Sequence, residues 1–277
     1  MSEAVEDPAA SASTAVVRRD ALLLVFVAGA LIGVLGGLIG LGGAEFRLPL
    51  LIGLFGFAAL HAVILNKAMS LIVVLTALPA RLLALPYDEV SQHWTIAANL
   101  LLGSLAGAWL GASWATRMHT RTLYRVLALL LVLIAAALAV SHLGHLGTIE
   151  MPTAARVCAA VLAGAGIGIV AALMGVAGGE LLIPTIVLLF GVDIKIAGSL
   201  SLIVSLPTML VAFARYSRDQ SFQILRGNTR FVVVMAAGSI AGTILGGLLL
   251  GAVPSTTLIP ILTTLLLISA VKVWRHQ

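Results

Sequence analysis

Long apolar runs dominate this chain. Eight of them, at 21–41, 64–85, 95–116, 123–140, 154–174, 194–214, 231–250 and 256–273, approach or exceed the length that a helix needs to cross the hydrocarbon of a bilayer, which is about 20 residues. Two shorter runs, 48–60 and 181–191, each follow a Gly-rich stretch that holds a glutamate. Only 10% of the residues are charged and 61% are hydrophobic, against about 25% charged in a soluble domain. A chain so poor in polar side chains cannot cover an aqueous surface, whereas lipid accepts helices that are apolar all round. The expected fold is therefore an all-α integral membrane protein.

The short runs can each cross together with the unwound stretch before them, giving ten passes, or they can re-enter, giving eight passes and two hairpins. With ten passes and a cytoplasmic N-terminus, twelve of the sixteen Lys and Arg residues fall inside, and Arg47, Arg81, Arg156 and Lys195 are the exceptions. That bias favours ten passes. It also places the net charge of +5 in short loops, which argues against nucleic acid as a partner. Tyr87, Trp94, Tyr124, Tyr216 and Trp274 stand at span ends, as an interfacial belt requires. The polar tail 1–20 contains Glu3, Glu6 and Asp7 and lacks the pattern of a signal peptide, so the first run reads as a retained span.

The chain repeats itself. VAGALIGVLGGLIGLGGAEFRLP, starting at Val27, and LAGAGIGIVAALMGVAGGELLIP, starting at Leu162, match without a gap at ten of 23 positions, more than shared apolarity supplies. At the same offset of 135, GSLAGAWLG from Gly103 mirrors GSIAGTILG from Gly238. Each copy holds five passes, and an odd number inverts the second copy in the membrane. The expected organisation is a cytoplasmic tail (1–20), a first repeat (21–141), a linker (142–153) and a second repeat (154–277), each repeat with a Gly-rich broken helix. Inverted repeats with broken helices are a common build for secondary transporters, whose substrate site lies where the repeats meet.

The breaks carry the candidate chemistry. Gly40, Gly42 and Gly43 precede Glu45 and Pro49, and Gly175, Gly178 and Gly179 precede Glu180 and Pro184. Glycine permits backbone angles closed to other residues, and proline frees a carbonyl. A break exposes amides at a half-helix N-terminus, where the dipole favours an anion. Glycines can also serve close packing alone, the reading given to the GxxxG runs at 29–37, 103–111 and 238–246. Intramembrane carboxylates are costly, so Glu45 and Glu180 either carry or gate a proton, or cap their half-helices. Arg47 has Leu182 at its mate position; it can pair with Glu45, snorkel, or meet an anion. Asn66, Lys67 and Ser70, with Ser199 and Ser201, begin the third pass of each copy, where they supply hydrogen bonds to a substrate or between helices. His142 and His145 have no third ligand, Cys158 is the single cysteine, and no nucleophile–base set or phosphate loop occurs. Neither a metal, a cofactor nor an enzyme activity is expected.

GLIGLGGAEFRLPLLIGLFG and ALMGVAGGELLIPTIVLLFG resemble the repeated signature of the TauE/SafE sulfite-exporter family of bacterial membrane permeases. Ala44 and Ala177 replace signature glycines. The Ala-Thr-Ser element that follows reads Ala68-Met-Ser70 and Ser199-Leu-Ser201. The resemblance implies export of small sulfur-containing anions, such as sulfite or organosulfonates, across the cell inner membrane. On the chemistry of the residues themselves, the glycines with Asn66, Ser70, Ser199 and Ser201 would bind the anion, and Glu45 and Glu180, which stand where the family signature is variable, would couple or gate. An anion channel and a non-transporting membrane partner are the alternatives, and a homodimer is left open.

Overall fold

The computed structural model describes residues 19–39, 43–84, 92–143, 151–249 and 255–275. Among these the chain is all helix. In order come α1 (Arg19–Ile39), α2 (Ala44–Gly53), α3 (Ala59–Ala84), α4 (Trp94–Ala115), α5 (Thr120–Leu143), α6 (Thr153–Met174), α7 (Gly179–Phe190), α8 (Ile194–Tyr216), a 3-10 turn (Gln220–Phe222), α9 (Gln223–Gly227), α10 (Thr229–Leu249) and α11 (Ser255–Trp274). Five of them, α3, α4, α6, α8 and α10, contain a stretch long and apolar enough to cross a membrane.

Among the described residues the bundle is apolar on its outside as well as in its core, and its buried ionisable groups are few. Leu23, Leu31, Leu102, Leu162, Leu248 and Ile268 are exposed, while Glu45, Arg47, Asn66, Lys67 and several serines are buried. Apolar outside and ionisable inside is the arrangement a lipid solvent selects. Trp94 and Trp274 are exposed near helix ends, as an interfacial belt requires. Tyr124 and Tyr216 depart from that expectation: both are buried, and the Tyr216 hydroxyl donates to the Ala172 carbonyl at 3.0 Å, while Tyr87 lies outside the described residues.

Small residues set the packing. α1 lies along α10 and α4 along α6. A methyl group on Gly29 or Gly33 would strike the backbone carbonyls of Met235 and Ser239. On Gly238 and Gly242 it would strike those of Phe26 and Ala30, and on Gly103 and Gly107 those of Val161 and Ala165. The GxxxG runs are therefore faces on which two backbones touch. α5 lies along α11, and α3 packs against α8.

The two short helices sit inside this frame, α2 against α3, α11 and α1, and α7 against α8, α6 and α5. Each opens on a left-handed glycine, Gly43 (φ 70°) or Gly178 (φ 87°), a conformation that L side chains resist. Helix α2 starts at Ala44 and stops at Gly53, so 54–58, expected to be helical, form a turn through Gly56 (φ 70°). Phe55 and Phe57 of that turn pack edge-on against Phe231 at 5.0 and 5.3 Å, which outweighs the helical preference of the run. Glu45 and Glu180 consequently belong to the first turns of α2 and α7 rather than to unwound chain.

Candidate functional site

The second break is built by a helix C-terminus. Gly175 adopts φ 71°, and the amides of Gly175 and Val176 return to the carbonyls of Ala172 (3.2 Å) and Ala171 (3.1 Å). This is the Schellman arrangement. The chain then turns through Gly178 into α7, whose Leu181 and Leu182 amides bond the Gly178 carbonyl. In the first break Phe46 and Arg47 bond the Gly43 carbonyl in the same way. Pro49 and Pro184 lie inside the short helices, where each leaves the glutamate carbonyl four residues earlier without its helical amide.

Helix α3 binds both breaks together. The Asn66 amide donates to the carbonyls of Ala44 and Met174, each at 3.0 Å. Lys67 Nζ donates to the carbonyls of Ala171 (2.8 Å) and Val176 (2.7 Å), placing a cation at the negative end of α6. Gly175 admits this contact, since a methyl group there would strike the Val63 carbonyl.

Four ionisable groups meet in this region. Glu45 and Glu180 are electrostatic neighbours of each other, Arg47 neighbours Glu45, and Lys67 neighbours Glu180. Glu45, Arg47 and Lys67 are 0% exposed and Glu180 is 7% exposed. The order is cation, carboxylate, carboxylate, cation, and at full ionisation the charges cancel. Burial favours such a balance, because an isolated buried charge costs on the order of several kcal/mol. Arg47 Nη1 donates to Asn66 Oδ1 at 3.5 Å and to Ser70 Oγ at 3.4 Å, while Nε and Nη2 have no partner. Both Glu45 oxygens and one of Glu180 receive no hydrogen bond from any other side chain or amide, and the two carboxyls lie within hydrogen-bonding reach of each other. Arg47 therefore neither snorkels nor forms a hydrogen-bonded pair with Glu45.

Of the residues singled out in the sequence, the structure brings together Gly43, Glu45, Asn66, Ser70, Gly175, Gly178, Gly179 and Glu180. Gly40 and Gly42 lie outside the described residues. Ser199 and Ser201 are buried on α8, and Ser201 gives its hydroxyl to its own helix, to the Gly198 carbonyl at 2.8 Å. Arg47 and Lys67 stand beside these residues, Arg47 against Asn66 and Ser70 and Lys67 against the carbonyls of the second break. Lys67 had been counted as a cytoplasmic positive charge, and its burial removes it from that tally. The signal that finds both is an ionisable residue inside an apolar run, which marks function by default.

No curated protein and no solved structure shows a significant match to the chain. Residues 25–273, nearly the whole sequence, match the family described as sulfite exporter TauE/SafE, and the chain belongs to that family of membrane transporters.

Proposed function

We propose that this protein is a secondary transporter that exports small sulfur-containing anions, sulfite or organosulfonates, by alternating access. The observation that carries the proposal is the meeting of Glu45 and Glu180: two buried carboxylates, one from each half of the chain, each in the first turn of a short helix that opens on a left-handed glycine. In a chain of this family, ionisable groups held where two halves meet are the expected machinery of a transport cycle. Glu45 and Glu180 take the role of proton carrier or gate.

The packing supports the finer architecture of two inverted five-helix repeats, 21–141 and 154–277, in ten passes. If α1–α5 correspond to α6, α7, α8, α10 and α11, the pair α1–α10 becomes α6–α4, and the pair α3–α10 becomes α8–α4; all four contacts exist. The pairs α5–α11 and α3–α8 map onto themselves. We place both termini in the cytoplasm on the distribution of arginines.

Full burial of Glu45, Arg47 and Lys67 favours a carrier with an occluded site over a channel with a wetted pore. The test is flux in proteoliposomes. A carrier gives saturable sulfite or sulfonate uptake, counterflow stimulated by anion on the opposite side, and a response to an imposed pH gradient. Non-saturating currents would establish the channel instead, and absence of flux for sulfite, sulfonates and thiosulfate would defeat the substrate assignment.

A further inference from the structure

We propose that the Nε–Nη2 edge of Arg47 is the binding site for the substrate's oxygens, and that the chain holds one such site, off the axis relating its halves. The inference rests on the transporter reading above and names the group that recognises the anion. Three observations carry it.

The first is orientation. Nη1 is occupied by Asn66 Oδ1 and Ser70 Oγ, and the Asn66 amide is itself fixed by the carbonyls of Ala44 and Met174. The guanidinium is thus oriented by two side chains, one of which, Asn66, is itself held. The second is what remains. Nε–H and the outer Nη2–H lie parallel on one edge of the guanidinium, the fork that matches two oxygens of one anion. Both nitrogens lack a partner although the side chain is 0% exposed. A buried donor left unmade is expensive, and Glu45, the nearest opposite charge, makes no hydrogen bond to it. The third is asymmetry. Leu182 occupies the mate position of Arg47, and Ala197 that of Asn66 in the register that aligns Ser70 with Ser201. The second repeat therefore cannot build a copy. A sulfite or sulfonate group presents the required pair of oxygens on a small centre; chloride does not.

The experiment uses the purified full-length protein, with sulfite, methanesulfonate and chloride as probes. Binding is read by thermal shift and calorimetry, and flux is read in proteoliposomes. The expected result is saturable binding of sulfite and methanesulfonate over chloride, at one anion per chain. Arg47→Lys, which keeps the charge and loses the fork, should weaken binding at least about tenfold. Arg47→Gln should abolish it. Ser70→Ala removes one of the two contacts that orient Nη1 and should weaken binding about threefold to fivefold; it carries the test if the Arg47 variants fail to fold. Flux with unchanged affinity in the Arg47 variants, or in Ser70→Ala where only that variant folds, would overturn this site and leave the transporter reading intact. Oxyanion binding lost in Arg47→Gln, but without flux in the parent protein, would uphold the site and overturn transport. A stoichiometry of two, or no binding of either oxyanion, would also overturn the site.

Discussion

Lys67 Nζ lies 2.7 Å from the Val176 carbonyl, so a cation in the first half of the chain terminates a helix in the second. The same ammonium reaches Ala171 at 2.8 Å and neighbours Glu180. One buried charge thus satisfies two carbonyls at a helix end and offsets a carboxylate. This fixes the geometry of the second break more firmly than glycine alone can.

Replacing Lys67 by Met keeps the length and removes the charge, leaving both carbonyls and Glu180 short of a partner. Loss of one member of a buried charge pair costs about 3–5 kcal/mol. Melting in detergent should therefore fall by roughly 6–20 °C. Adding Glu180→Gln removes the stranded carboxylate and should recover part of the loss. Strict additivity of the two substitutions would show that Lys67 and Glu180 do not interact.

The helix interfaces make a second prediction, in which one substitution type changes sign with place. Gly242→Ala puts a methyl group into the Ala30 carbonyl and forces α1 and α10 apart, at a cost of about 1–3 kcal/mol. Gly166→Ala, on an exposed face of α6 with nothing within 4 Å, should stabilise by about 0.5–1 kcal/mol, since alanine loses less backbone entropy in a helix. Equal melting shifts for the two would refute the interdigitated packing.

A third comparison separates backbone strain from collision. Gly56 and Gly175 share the left-handed conformation, φ 70° and 71°, but only Gly175 faces a neighbour. Gly56→Ala should cost the strain alone, about 1–2 kcal/mol. Gly175→Ala adds a clash with the Val63 carbonyl beside the Lys67 contacts, so it should destabilise more and depress flux as well. If Gly56→Ala were the more damaging, the turn at 54–58 would have a role that its open surroundings do not suggest.

Glycine spacing and the positions of Glu45 and Glu180 made the two breaks legible in the sequence, because both act over a few residues. The apolar runs marked the long helices for the same reason. Lys67 was misplaced among the loop charges because its partners are distant: it is satisfied by carbonyls more than 100 residues away. Hydropathy along the chain registers a charge and not its partner. Tyr216 read as an interfacial anchor on the same basis, while its hydroxyl in fact meets Ala172 from another helix. The start of α2 at Ala44 was also hidden, since Glu and Arg in its first turn look like loop until Asn66 and Ser70 are seen beside them.

The acid pair yields the last prediction. On α2 stand Glu45 and Arg47, on α3 Lys67, and on α7 Glu180; Lys272 of α11 lies at the far end of α2, against Gly53. An anion entering beside Arg47 also approaches Glu45. Each proton taken up by the two carboxylates removes a negative charge from the anion's surroundings, so anion affinity should rise as pH falls. Glu45→Gln with Glu180→Gln makes the pair neutral at every pH. The double variant should bind sulfonate with the affinity the parent shows only at its low-pH limit, and flux should no longer respond to an imposed proton gradient. Methanesulfonate suits the measurement because its own charge is constant across the range. A double variant that keeps the full pH dependence of binding and flux would take proton coupling away from Glu45 and Glu180.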